Sequence, residues 1–262
     1  MGQIRRPAVA GTFYPGSPEE LEDTIGACLA AAGAPGEAPP KAVIAPHAGY
    51  VYSGPVAGSA YARLAPLRGQ IERVVLLGPA HRVPCRALAV PACDAFATPL
   101  GPVALDREAL ERALALPQVE IFDAAHAEEH SLEVHLPFLQ TVLGEFRLAP
   151  FVVGDAAPQE VDEVLELLWG GSETLLVVSS DLSHYHDYAT ARRMDAETTR
   201  AIEALEPEAI GYEQACGRIP VQGLLLAARR HGLCARAVDV RSSGDTAGPR
   251  DRVVGYGSYV LA

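Results

Sequence analysis

Two histidines stand just past the ends of short apolar runs. His47 follows Val43-Ile44-Ala45-Pro46, and His81 follows Val74-Val75-Leu76-Leu77-Gly78-Pro79-Ala80. Neutral imidazole is the commonest metal ligand, and its charge changes close to neutral pH. A third run, residues 175–180, leads into Asp181-Leu182-Ser183-His184. Open α/β sheets gather ligands at the carboxyl ends of their strands. Three strand ends that offer His, His and Asp/His therefore predict a mononuclear metal site or an acid/base site. Asp181 has an equally good second reading, as the cap of a helix that follows its strand. His184 and His186 alternate in a segment with Tyr185 and Tyr188. One of the two histidines is a candidate general base, and the other reads as a solvated side chain.

Two further groups invite chemistry. His130-Ser131-Leu132-Glu133-Val134-His135 has the look of a metalloprotease helix. That motif needs histidines four apart on one face. Five apart on a 3.6-residue period puts them about 140° around the helix, so both cannot bind one metal. His130 and Glu133, three apart, can meet on a helix. They read as a pair that supports a ligand or touches substrate, or else as a solvated first turn. Cys216, followed by Gly217-Arg218-Ile219-Pro220, stands before an apolar helix pattern. It reads either as a small buried hydrophobe or as a thiolate favoured by a helix N-terminus. P-loop, G-x-G-x-x-G and G-x-S-x-G motifs are absent from the sequence, which leaves nucleotide and α/β-hydrolase sites without support.

Strand and helix patterns alternate along the chain. Apolar periodicity predicts strands over 42–45, 73–77, 88–91, 103–105, 146–153, 174–180, 235–240 and 252–261. Helices are predicted over 21–32, 55–64 with Ser53 near the start, 106–116 capped by Asp106, and 131–143 with a kink at Pro137. Further helices follow over 158–169, 188–205 and 221–231. A Pro/Gly loop covers 33–40. No internal repeat or linker-like composition divides the chain, so one α/β domain is expected.

Bulk numbers agree with a globular enzyme-sized chain. The sequence has 262 residues, 49% hydrophobic and 21% charged, which is ample for a sizeable core. With 21 basic and 33 acidic residues the net charge is −12. Such a surface argues against nucleic acid or an anionic membrane as partner. Five scattered cysteines, Cys28, Cys85, Cys93, Cys216 and Cys234, form no C-x-x-C pair. They point to a reducing compartment, with all but Cys216 read as packing residues. Arg5-Arg6 is followed by no apolar run, and Arg6 stands where myristoylation would want Ser or Thr. No stretch reaches membrane-spanning length. The cytoplasm is the expected location.

Taken together, several segments resemble the Memo family, the middle partner of the AmmeMemoRadiSam grouping. They are Arg6-Pro7-Ala8-Val9-Ala10-Gly11-Thr12-Phe13-Tyr14-Pro15, Ala45-Pro46-His47-Ala48-Gly49-Tyr50 and Leu77-Gly78-Pro79-Ala80-His81. Glu129-His130-Ser131-Leu132-Glu133-Val134-His135-Leu136-Pro137, Ser179-Ser180-Asp181-Leu182-Ser183-His184 and Cys216-Gly217-Arg218-Ile219-Pro220 complete the set. The resemblance runs nearly end to end, over a single domain of residues 1–262. It implies a fold similar to class III extradiol dioxygenases, with a central, mostly parallel sheet and helices on both sides. Those dioxygenases hold non-haem iron with two histidines and a carboxylate. By the Memo resemblance, His47 and His81 fall at the two histidines and Cys216 at the third ligand, while Asp181 and His184 share the pocket. A thiolate in place of the carboxylate moves preference toward copper or zinc, with iron still an option. Three such donors must lie within about 4 Å of one another to meet one ion. The resemblance implies iron or copper, a redox role, a small-molecule or peptide ligand, and a functional link to the other AmmeMemoRadiSam proteins, a radical SAM protein among them. A non-catalytic binding module using the same pocket is the second class of function. A ring-cleaving dioxygenase is a third, disfavoured by Cys216.

Overall fold

In the computed structural model, which describes residues 3–33 and 39–262, four apolar runs lie side by side. The strands Ala42–Ala45, Thr174–Ser179, Arg73–Pro79 and Arg147–Val153 pair in parallel, in that spatial order. Every residue of the first two, and all but the first of the other two, is buried. Continuous apolar strands of this kind need both faces of the sheet covered, and helices cover them. Helix Pro18–Ala30 packs on helix Tyr50–Tyr61, and helix Pro158–Leu167 packs on helix Arg218–His231.

The parallel centre extends into a mixed sheet. Beyond the parallel centre, Val253–Leu261 joins Ala42–Ala45 antiparallel and carries Ala235–Ser242 and His184–His186 antiparallel in turn. At the other side Leu88–Val90 runs antiparallel to Arg147–Val153 and parallel to Val119–Ile121. Chain reversals that need only short connections can add strands at an edge, whereas parallel neighbours need a crossover. A separate three-stranded sheet combines Ile4–Arg5, Ala95–Thr98 and Gly101–Ala104.

Several expected boundaries shift. The helix expected at residue 55 begins at Tyr50. The Tyr52 and Ser53 amides bond the Gly49 carbonyl and the Ser53 hydroxyl bonds the Ala48 carbonyl, so the helix is already under way before Pro55. The expected helix over 131–143 becomes a 3-10 turn at Glu133–His135 and an α-helix at Leu136–Leu143, with Pro137 in its first turn. Pro220 likewise falls in the first turn of Arg218–His231, where its missing N–H has no helical partner to lose. Asp106 caps helix Arg107–Ala113 by accepting from the Ala109 amide at 3.0 Å. Residues 34–38 of the Pro/Gly loop lie outside the described residues. Among the described residues no helix is long and apolar enough to cross a membrane. All five cysteines are free; Cys28, Cys85 and Cys93 are buried, whereas Cys234 is exposed and is not a packing residue.

Candidate metal centre

The register of the parallel strands brings three chain segments level at one edge. Ala45 is opposite Ser179, and Leu77 is opposite Val178. Two residues past Ala45 comes His47, two past Ser179 comes Asp181, and His81 follows Pro79 by two. Cys216 reaches the same rim from far along the sequence. Its neighbour Gly217 caps helix Arg218–His231, and the Gly217 amide donates to Ser180 Oγ at 3.0 Å. A Cβ at Gly217 would lie 2.4 Å from the Ser179 carbonyl oxygen, so only glycine lets this turn press onto the strand end. The Cys216 amide donates to the Asp181 carbonyl, and Cys216 Sγ accepts from the Asp181 amide, both at 3.3 Å. Donor atoms of His47, His81 and Cys216 all lie within 4.8 Å of one another, a looser grouping than the expected separation of about 4 Å. Cys216 Sγ is 3.3 Å from His47 Nε2. Ligands at 2.1 and 2.3 Å from one ion sit about 3.6 Å apart at a tetrahedral angle, close to that separation.

Hydrogen bonds orient both imidazoles. Ser179 Oγ donates to the Ser131 carbonyl at 2.6 Å, so it accepts from His47 Nδ1–H at 2.6 Å. That assignment leaves Nε2 of His47 bare beside Cys216. His81 Nδ1 lies 3.0 Å from Glu129 Oε1. The Glu129 carboxylate also accepts from the amides of His81, His130 and Ser131. Burial alone would raise its pKa, but the side-chain and amide bonds from His81 and the Ser131 amide hold it at about 2. A carboxylate there fixes His81 with its proton on Nδ1, again leaving Nε2 bare, and makes that nitrogen more basic. Burial, then the neighbouring His81, His130, His135 and His184, keep the His47 pKa well below its ordinary value, so His47 is neutral. Burial first and Asp181 second push the Cys216 thiol up. The backbone amides of Asp181 and Gly217 and the Ser180 side chain pull the other way.

The other expected site residues divide. Asp181 is buried, and its Oδ1 accepts from the His47 amide at 2.8 Å. Burial raises its pKa, against the His47 amide bond and the nearby His184 and His81. It caps no helix; Asp187 caps Tyr188–Glu203 instead. His184 Nδ1 bonds the Leu182 carbonyl at 2.8 Å rather than Asp181, which leaves its Nε2 free to take a proton. His130 stacks on His81 with ring centroids 4.7 Å apart and meets His47 edge-on at 5.5 Å. Burial lowers its pKa to about 4. Glu133 does not join it. Its carboxylate takes Arg5 Nη1, the amides of Ala8 and Val9 and the Tyr14 hydroxyl, at 2.6–2.9 Å. The expected His130–Glu133 pair assumed a helix, and residues 129–132 are not helical. His135 bonds Tyr61 Oη at 2.6 Å and takes no part in the cluster. His81, Glu129 and His130 also form a close trio. It shares His81 with the first group and its carboxylate already accepts four N–H groups, so it is a support rather than a second ion site.

The cluster opens into a cavity of about 1100 Å³, also lined by Asp181, His184 and His186. That volume suits a small-molecule ligand.

A family profile described as Memo-like protein matches residues 5–260. The chain belongs to the Memo family. A MEMO1 family protein of Aquifex aeolicus is 38% identical, with 97% of each chain covered. Another, from Ignicoccus hospitalis, is 38% identical over 97% of this chain and 96% of its own, and one from Methanopyrus kandleri 37% over 98% of each. In this Memo-family chain, Glu129 and Ser179 are the supporting residues of the candidate site that sequence reasoning missed. The signal for Glu129 was its place at the head of the Glu129–Pro137 motif. Ser179 likewise heads the Ser179–His184 motif, but only the fold places it under His47.

Proposed function

We propose that this chain holds one iron or copper ion through His47, His81 and Cys216, and uses it in a redox reaction on a small molecule. Zinc is the further option for such a donor set. The observation that carries the reading is the pair of oriented imidazoles, each with Nδ1 engaged and Nε2 bare, facing a half-buried thiol. Ligand histidines almost always have their second ring nitrogen fixed by a hydrogen-bond acceptor, as both imidazoles do here. A bound ion would supply electron exchange or polarise a ligand. The protein supplies the rest. His184 holds a free ring nitrogen at the pocket for proton transfer, and Asp181 fixes the His47 backbone through its amide. Family membership supports a functional link to other AmmeMemoRadiSam proteins, including a radical SAM protein.

The test is metal analysis of protein purified without added metal, alongside H47A. About one equivalent of a redox metal in the parent and little in the variant is expected. A metal-free parent that also takes up none of iron, copper or zinc would leave the binding-module reading. Oxygen uptake with a panel of catechols separates the remaining readings. Rapid yellow ring-opened product would establish a dioxygenase despite Cys216.

A further inference from the structure

The turn that carries His184 is strained and clamped from two sides. Tyr185, between His184 and His186, sits at φ +62, a conformation that bulky residues rarely adopt. Such residues persist only where their surroundings over-determine them, and they gather at functional sites. One clamp is Gly255. The Leu182 amide donates to its carbonyl, and its own amide donates to the Ser183 carbonyl, both at 2.8 Å. Beside it His184 and His186 pair with Val254 and Val253 across a register shift. The His184 ring lines the cavity and is bonded within the turn, to the Leu182 carbonyl. Where the turn goes, the imidazole goes.

The second clamp is Asp195, buried on helix Tyr188–Glu203. Its Oδ1 accepts from the Ser183 amide at 3.0 Å. A Cβ at residue 255 would lie 2.0 Å from Asp195 Oδ2 and 2.5 Å from its Cγ, so the carboxyl fills the space where a side chain would stand. Glycine at that position is what lets helix and turn meet. Ser183 Oγ is buried and has no aligned partner among the described residues. A buried carboxyl with one aligned amide is poorly compensated once it ionises. Burial accordingly outweighs Ser183 and His186 and lifts its pKa to about 6. His186, from strand His184–His186, and the Tyr259 hydroxyl, from strand Val253–Leu261, are the titratable groups that face it. Among the described residues no arginine or lysine of the elements packed on that helix compensates its charge.

We propose that Asp195 is a positioning residue for His184: a proton on its carboxyl holds the 182–186 turn against Gly255, and loss of that proton loosens the turn and frees the His184 ring. An ionised carboxylate in that slot needs donors that the closed turn does not supply, and opening lets water in. The cavity then presents a held imidazole in acid and a mobile one in base. The proposal deepens the proposed function, on which it rests for His184 being the group that moves a proton.

The experiment compares the whole chain with D195N, whose amide keeps the shape and cannot ionise. In the parent the Ser183 amide signal should move in one step near pH 6 by NMR, and in D195N that step should be absent. Diethyl pyrocarbonate labelling of His184, read by mass spectrometry with distant His231 as internal reference, reports the ring. At about pH 5 parent and D195N should label alike, and at about pH 8 His184 should label about threefold or more slower in D195N. A merely structural Asp195 would shift both pH values together. G255A, which pushes the carboxyl out, should speed His184 labelling at both. Equal His184 labelling of parent and D195N at about pH 8, or a Ser183 step that survives in D195N, overturns the proposal. The step and its loss in a protein that takes up no metal would fail the metal reading alone. Metal uptake with no step would fail the Asp195 reading alone.

Discussion

Glu129 and Glu133 stand four residues apart, are both buried, and each gathers four donors, yet they serve different regions. Glu129 collects amides around His81 and orients that imidazole at the cavity. Glu133 collects Arg5, Tyr14 and the amides of Ala8 and Val9, tying the N-terminal segment to the core. Arg5 stitches the two regions, because it also donates to the carbonyls of Glu129 and His126. A buried carboxylate is defined by the donors that reach it. Its distance in sequence from a histidine says little.

The largest effect should come from the Glu133 side. E133A leaves the buried Arg5 guanidinium without its carboxylate, which should cost about 3–5 kcal/mol in a denaturant titration. Metal content per folded molecule should stay that of the parent. A cost within the range of surface substitutions would show that Glu133 is no hub.

A third buried carboxylate sharpens the donor rule. Asp195 receives the Ser183 amide at 3.0 Å but not four donors, and burial outweighs that bond, lifting its pKa to about 6. Its folded pKa lies above the ordinary value of 3.8. The protonated form is therefore the one that folding favours. That stability is fully present below about pH 4 and lost as pH rises through about 6, a loss of about 3 kcal/mol. D195N should flatten the stability difference between pH 4 and pH 7. Parallel curves for the parent and D195N would mean that donors, not burial, dominate there too.

On the Glu129 side the effect should appear in metal binding. E129Q keeps the shape but loses the charge, and should weaken metal affinity about 10–100-fold. A chelator competition measures it, and the stability loss should be smaller than in E133A. Matching losses of stability and affinity in the two variants would erase the distinction between the regions. The smallest effect on metal belongs to H184A, because His184 bonds only the Leu182 carbonyl and stands outside the ligand trio. Metal stoichiometry should be nearly intact. Loss as complete as in H47A would make His184 a ligand.

Much of this arrangement was legible in the residues. The runs ending at Ala45, Pro79 and Ser179 are apolar on both faces, and such runs have few ways to fold other than as central parallel strands. The histidines and Asp181 beyond them had to reach one edge. Short flanking strands were not legible: His184–His186 has no apolar alternation, and pairing with Val253–Leu261 alone makes it a strand. The Glu129–Glu133 choice failed for a related reason. Helical spacing favours a partner three residues from His130, but the chain there is a turn leading into the 3-10 segment Glu133–His135, and Glu133 meets Arg5 instead.

The sequence by itself determined the family and the α/β class and named His47, His81 and Cys216 as candidate donors, because each is written in local pattern or motif. The tertiary structure decided which groups support those donors. Ser179 under His47, Glu129 beside His81 and Gly217 pressed on the Ser179 carbonyl are contacts between segments 38 to 132 residues apart. Local sequence does not encode such contacts, because a hydrogen bond has an orientation only once both partners are held by the packing of the core.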